Sequence, residues 1–234
     1  MRQSLFDIRC EWGEHGVQKL TEECDVLVLI DVLSFSTSVS VAVKEGAKIY
    51  PAAIGDKTEL PNGVIKASRR AQWLKNADLR SMSPQSLENL KTDLLLPSPN
   101  GSALSLMVGT TPLLAGCLRN AKATAQAAMH LGSTIGIVPA GERWEDHSLR
   151  PSWEDLIGAG AIIQELKGER SPEAAVAEMA FLSVVGEIEQ RMSKTVSGRE
   201  LIKRGFAEDV HLACQLNADN YAARLINGAY RRIL

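Results

Sequence analysis

Five consecutive apolar residues, Val26 to Ile30, run into Asp31, and a strand apolar on both faces belongs in the middle of a covered sheet. Upstream, Phe6, Ile8, Cys10 and Trp12 alternate with polar residues, the pattern of a half-exposed strand, and residues 14–22 read as a short connecting helix. After Asp31, LSFSTSVSVAVKEGA turns helical and stops near Gly46, and AKIYPAA reads as a strand. The same grammar returns in DLLLPSPNGSALSLMVG, a strand, a Pro-Asn-Gly turn and a helix start. TPLLAGCL predicts a further strand and Ala121 to Leu131 a helix. Thr134 to Val138 predicts one more strand, leading into a Gly-Glu-Arg loop. This alternation predicts an α/β fold, a three-layer α/β/α arrangement with a mainly parallel or mixed central sheet.

The last third reads as helical. Ser152 to Asp155 has capping-box spacing ahead of LIGAGAIIQEL, whose Gly158 and Gly160 allow close packing. Ser171-Pro172 opens a long helix through about Met192, and Ser197 to Glu200 repeats the capping-box spacing before LIKRG. Residues 55–92 are a polar mixture that resists assignment. No repeat or long linker interrupts the chain, so residues 1–234 are expected to form a single domain.

Composition narrows the function. Hydrophobic residues make up 45% and charged residues 23% of the chain, which excludes a disordered or tail-like protein. With 26 basic and 28 acidic residues the net charge is −2, so no basic excess points to nucleic acid. Cys10, Cys24, Cys117 and Cys214 are scattered without a C-x-x-C pair, which predicts free thiols in a reducing compartment. MRQSLFDIRCEW has no apolar signal core and no apolar run approaches 18 residues. No membrane contact and a cytoplasmic location are expected.

Ligands of open α/β sheets bind at the carboxyl ends of strands, so polar residues there are informative. Asp31 emerges at such an end; its plainer reading is a cap on the next helix. Ser34, Ser36, Thr37, Ser38 and Ser40 follow it, hydroxyls at a helix start that could cradle phosphate or be satisfied locally. Ser98, Asn100, Gly101 and Ser102 offer a second cradle or a plain turn. Glu142 and Arg143 mark a third strand end. Asp155 fits a capping box, whereas Glu154 is not needed for one. With Asp31 these two carboxylates could hold a hard cation such as Mg²⁺. The P-loop, G-x-G-x-x-G and G-x-S-x-G motifs are absent, and the four histidines lack metal-ligand spacing.

Four blocks carry a resemblance. IDVLSFSTSVSVAVKEGA, SPNGSAL, PAGERWEDHSLRPSWEDLIGAGAIIQEL and SGRELIKRGFAEDVHLACQLN resemble, in order over about residues 25–217, segments of the 2-phosphosulfolactate phosphatases. The resemblance implies a Mg²⁺-dependent phosphatase with a three-layer α/β/α fold. Its substrate would be (R)-2-phospho-3-sulfolactate, converted to 3-sulfolactate and phosphate on the route to coenzyme M. Matching positions are Asp31, the hydroxyls at 36–38, Asn100-Gly101, Glu154-Asp155, Asp209 and Cys214. Ser34 and Phe35 depart from the family's arginine and small residue, and the stretch around Arg69 and Arg70 is altered. The roles are inferred from the residues themselves: Asp31, Asp155 and Glu142 are expected to be catalytic. Ser36, Thr37, Ser38, Ser98, Asn100, Gly101, Ser102 and Arg143 bind a small anionic phosphorylated substrate, and Asp31, Glu154 and Asp155 hold Mg²⁺. Asp31 could be metal ligand, base or covalent nucleophile. Leu33 stands where a second acid would support the covalent route, so direct attack by water is preferred. The competing expectation is a non-catalytic anion-binding protein on the same fold. A homodimer is expected only as the commonest oligomer.

Overall fold

A computed structural model describes residues 3–56 and 62–233. The chain opens with β1 (Ile8–Cys10), α1 (Gly13–Glu23), β2 (Val26–Ile30), α2 (Phe35–Ala42) and β3 (Ile49–Ala52). A short β4 (Ile65–Lys66) and α3 (Arg70–Trp73) precede β5 (Leu94–Pro97), α4 (Gly101–Met107), β6 (Leu113–Gly116) and α5 (Ala121–Leu131). Next come β7 (Ile135–Pro139), β8 (Glu142–Arg143), β9 (Leu149–Arg150) and α6 (Trp153–Glu165). The last stretch is α7 (Pro172–Leu182), α8 (Ile188–Met192), α9 (Val196–Lys203), α10 (Ala207–Cys214), β10 (Ala222–Ile226) and β11 (Ala229–Ile233).

Nine of these strands form one mixed sheet in the order β1-β7-β2-β6-β10-β11-β3-β5-β4, and β8 and β9 form a separate hairpin. β2 pairs parallel with β6 and β7, which buries all five of its residues, as its unbroken apolar run requires. Residues of α5, α6, α7 and α10 fill the core on one face of the sheet. Residues of α1, α2 and α4 fill the other. The fold is therefore the expected three-layer α/β/α.

Several local expectations change. β1 is buried throughout rather than half-exposed. Its Arg9 is tolerated inside because the guanidinium donates to the carbonyls of Phe6, Glu23 and Ser4. The single helix from Ser171 is broken after Leu182. There the Ser183 hydroxyl bonds the Ala180 carbonyl, and Gly186 lies in a 3₁₀ turn before α8. α9 is capped by Thr195, which accepts from the Gly198 N–H, and not by Ser197. The Gly-Glu-Arg loop is the first strand of the β8–β9 hairpin.

The largest departure is at the end of the chain. β10 and β11 form an antiparallel pair inserted between β6 and β3, in the middle of the sheet. Arg232 stacks on the Tyr221 ring at 4.6 Å, while Arg231 lies half-buried on β11. All four cysteines are free, two of them buried, and burial pushes the Cys10 thiol up to about 12. Among the described residues no helix is long and apolar enough to cross a membrane.

Candidate active site

The polar ends of β2, β5 and β7 meet. Asp31 is 6% exposed. Its Oδ1 accepts from the Phe35 N–H at 3.1 Å and its Oδ2 from the Gly101 N–H at 2.9 Å, so one carboxylate spans the first turns of α2 and α4. Both turns present unpaired N–H groups and the positive end of the helix dipole, which is why a carboxylate settles between them. Position 101 must be glycine for this approach, because a Cβ would strike the Phe35 ring. Asn100, the next residue back, donates Nδ2 to Oε2 of Glu142 at 3.0 Å.

Asp155 closes the arrangement from α6. Its Oδ1 accepts from the Val32 N–H at 2.8 Å. Its Oδ2 accepts from the Gly141 N–H at 2.9 Å and from the Ser152 hydroxyl at 2.7 Å. The capping box is thus replaced by a tie from α6 to the ends of β2 and β7. Gly158 permits the close seat, since a Cβ there would lie 2.6 Å from Val32. Three hydrogen bonds thus tie the Asp155 carboxylate to the ends of β2 and β7 and to Ser152, which gives it a positioning role at the start of α6.

Glu154 behaves differently. It is 4% exposed, yet its carboxylate has no hydrogen-bond partner among the described residues, and it lines a cavity beside the crevice. Burial, then the neighbouring charge of Asp31, raises Glu142 to about 7. Burial is also the leading cause that raises Asp31 and Asp155, against the hydrogen bonds that lower them. Asp31, Glu142 and Glu154 sit close enough to repel one another.

The anion cradles expected from the hydroxyl clusters are closed. Ser36, Thr37 and Ser38 are fully buried and donate to the carbonyls of Asp31, Val32 and Met82. Ser102 donates to the Leu96 carbonyl, and Ser98 accepts from the Asn100 N–H. The local alternative holds for these hydroxyls because each has a backbone partner within one helical turn or a neighbouring loop.

Positive charge enters instead from arginines. A crevice of about 460 Å³ is lined by Glu142 together with Arg70, Arg143, Arg150 and Arg204. Arg70 reaches it from the stretch that resisted assignment. Its Nη2 donates to Ser34 Oγ at 2.6 Å and to the Met82 carbonyl, and its Nε lies 3.3 Å from Asp209. Asp209 is buried and also accepts from the Ser83 hydroxyl and the Gln85 N–H. Arg70 packs over Phe206, on which Trp73 stacks. Arg143 donates to the His147 carbonyl and lies 3.6 Å from Glu14, so much of its charge braces the hairpin. Reading the sequence singled out Asp31, Asn100, Glu142 and Glu154 but missed Arg150. No local signal marks it, because only the β8–β9 pairing sets it opposite Glu142.

The donor set suits a hard cation. All available ligands are carboxylate oxygens, Glu154 has no other partner, and the mutual repulsion of these acids would be relieved by positive charge. Among the described residues no three His, Cys, Asp or Glu side chains form a ready-made cage. A cation here would be held by one or two carboxylates and completed by water and phosphate oxygens, the usual arrangement for Mg²⁺.

Comparison with known proteins identifies the family. The family model for 2-phosphosulpholactate phosphatase matches residues 14–227. The chain is 30% identical over 207 residues to a probable 2-phosphosulfolactate phosphatase of Carboxydothermus hydrogenoformans, covering 83% of this chain and 84% of the relative. It is 27% identical over 199 residues to the 2-phosphosulfolactate phosphatase of Methanothermobacter thermautotrophicus, covering 84% of each. A probable 2-phosphosulfolactate phosphatase of Thermotoga maritima is 27% identical over 218 residues, 89% of this chain and 92% of the relative.

Proposed function

The chain belongs to the 2-phosphosulpholactate phosphatase family, and on that premise we propose that it is a Mg²⁺-dependent phosphomonoester hydrolase. Its substrate is (R)-2-phospho-3-sulfolactate or a closely related small phosphorylated acid, and its products are the free hydroxy acid and phosphate. The observation that carries the reading is the cluster of Asp31, Glu142 and Glu154, close enough to repel one another, with Glu142 lining a crevice walled by guanidinium groups and Glu154 lining the cavity beside it.

Asp31 and Glu154 would hold the metal: Asp31 is fixed by two N–H donors, and Glu154 is buried without a competing partner. When bound, the cation supplies charge neutralisation at the phosphoryl oxygens and makes a coordinated water more acidic. Arg70, anchored by Ser34 and Asp209, presents positive charge to the same space and favours the more highly charged transition state. Glu142 holds a proton. Asn100 occupies Oε2, which leaves Oε1 to carry the hydrogen and give it to the departing alkoxide oxygen. A value raised to about 7 keeps this acid protonated in part near neutrality. Asp155 acts through position alone, locking α6 to the ends of β2 and β7.

The test is release of inorganic phosphate from 2-phospho-3-sulfolactate and from a panel of small phosphoesters, with Mg²⁺ and after chelation by EDTA. Release that needs Mg²⁺ and is abolished by Asp31→Asn is the expected outcome. Tight binding of these esters without turnover would instead favour the non-catalytic alternative.

A further inference from the structure

Arg150 stands apart from the other guanidinium groups around the crevice. Arg70 is committed to Ser34 and Asp209, Arg204 to Glu200, and Arg143 to the His147 carbonyl. Arg150 carries five N–H donors; among the described residues none of them makes a hydrogen bond or a close ion pair, and its charge is felt by the Glu142 carboxylate opposite it. Its specific contact is with Trp144, whose ring lies 5.3 Å below the guanidinium carbon. Trp144 is 56% exposed. A cation–π contact of this kind holds the guanidinium over the ring and leaves its N–H donors free for a two-oxygen acceptor.

Arg150 also lines two spaces at once. One is the crevice it shares with Glu142 and Arg70. The other is a neighbouring cavity of about 600 Å³, between the start of α6 and residues 187–196, that Glu154 and Lys194 line as well. In the hairpin Arg150 lies directly opposite Glu142. The strand pair that places the candidate proton donor therefore sets this cation at a fixed spacing from it.

We propose that Arg150, oriented by Trp144, receives the acid group of the substrate that is not hydrolysed and so selects phosphate esters of small acids over simple alkyl phosphates. The inference rests on the hydrolase reading above and adds a receptor to it. The phosphate end lies toward Asp31 and Glu154, and the carboxylate or sulfonate end lies toward Arg150 with Lys194 beside it. Trp144 is a positioning residue, because it acts through the guanidinium it holds.

A matched pair of substrates tests this, 2-phospholactate and isopropyl phosphate, in which a methyl group replaces the carboxylate. In the full-length protein, Arg150→Ala should lower the ratio of kcat/KM for the two esters on the order of tenfold or more, mainly through KM. Arg150→Lys should recover part of the ratio. Trp144→Ala should lose a smaller part, and Trp144→Phe should restore it. A ratio in Arg150→Ala equal to that of the unsubstituted protein overturns the proposal. Calorimetric titration of 2-phospholactate into Asp31→Asn, with and without Arg150→Ala, separates the two readings. If neither ester is hydrolysed but binding weakens with Arg150→Ala, the hydrolase reading fails and the receptor stands. Equal binding in both proteins removes the receptor.

Discussion

The buried acidic cluster and the arginine wall of the crevice next to it are built on opposite plans. The cluster, with Asp31, Glu154 and Asp155, consists of short acidic side chains at the end of a buried strand and the start of α6, each 6% exposed or less. The wall consists of long arginines delivered by α3, α9 and the β8–β9 hairpin, elements at the surface of the molecule. Burial makes the cluster rigid and raises Asp31 and Asp155, whereas partial exposure leaves the wall adjustable at modest cost in stability. Within the cluster the division sharpens again. Asp155 takes three donors and Glu154 none, although they are adjacent in sequence and equally buried. The lesson is that similar burial does not imply a similar task; the partners decide.

The strongest way to break this contrast is to substitute the two neighbours separately. Glu154→Gln should lower kcat by roughly 10²–10³ while thermal stability holds or rises, because it removes one of several mutually repelling buried charges. Asp155→Ala should do the reverse in kind. It orphans the Val32 and Gly141 N–H groups and should cost about 3 kcal/mol or more of stability, measured by urea denaturation. If both substitutions damage activity and stability alike, the distinction fails.

A pH profile gives a smaller effect. Glu142, raised to about 7 by burial and the nearby Asp31 charge, acts in its protonated form, so activity is present below that value and falls as pH rises through it. Glu142→Gln should remove that descending limb and lower kcat on the order of tenfold to a hundredfold; a limb unchanged in the variant would reject the assignment. The smallest effect belongs to the wall. Arg70→Met should raise KM by roughly tenfold through loss of a charge-assisted contact, and hydrogen exchange should quicken over residues 62–92 as their tie to Ser34 and Asp209 is lost. Slow exchange retained there would mean that Trp73, stacked on Phe206, docks the segment without the arginine.

The alternation of strand and helix, the buried run Val26–Ile30 and the acid at its end are legible in the chain alone. The sequence also brought Asn100-Gly101 and Glu154-Asp155 into consideration as neighbours of that acid. These signals are local, since an unbroken apolar run or an Asn-Gly turn has one dominant structural meaning wherever it occurs. The remainder came from long-range packing. The β10–β11 pair lies mid-sheet because its partners, β6 and β3, are distant in the chain, and a pattern-based reading of a short C-terminal strand has no access to them. The hydroxyls of Ser36, Thr37 and Ser38 were spent on backbone carbonyls that only the folded chain supplies. Arg70 and Arg150 gained their places from long side chains whose reach exceeds the spacing of the elements carrying them. Which cavity such a guanidinium enters depends on what packs around it, not on the residues beside it in the chain.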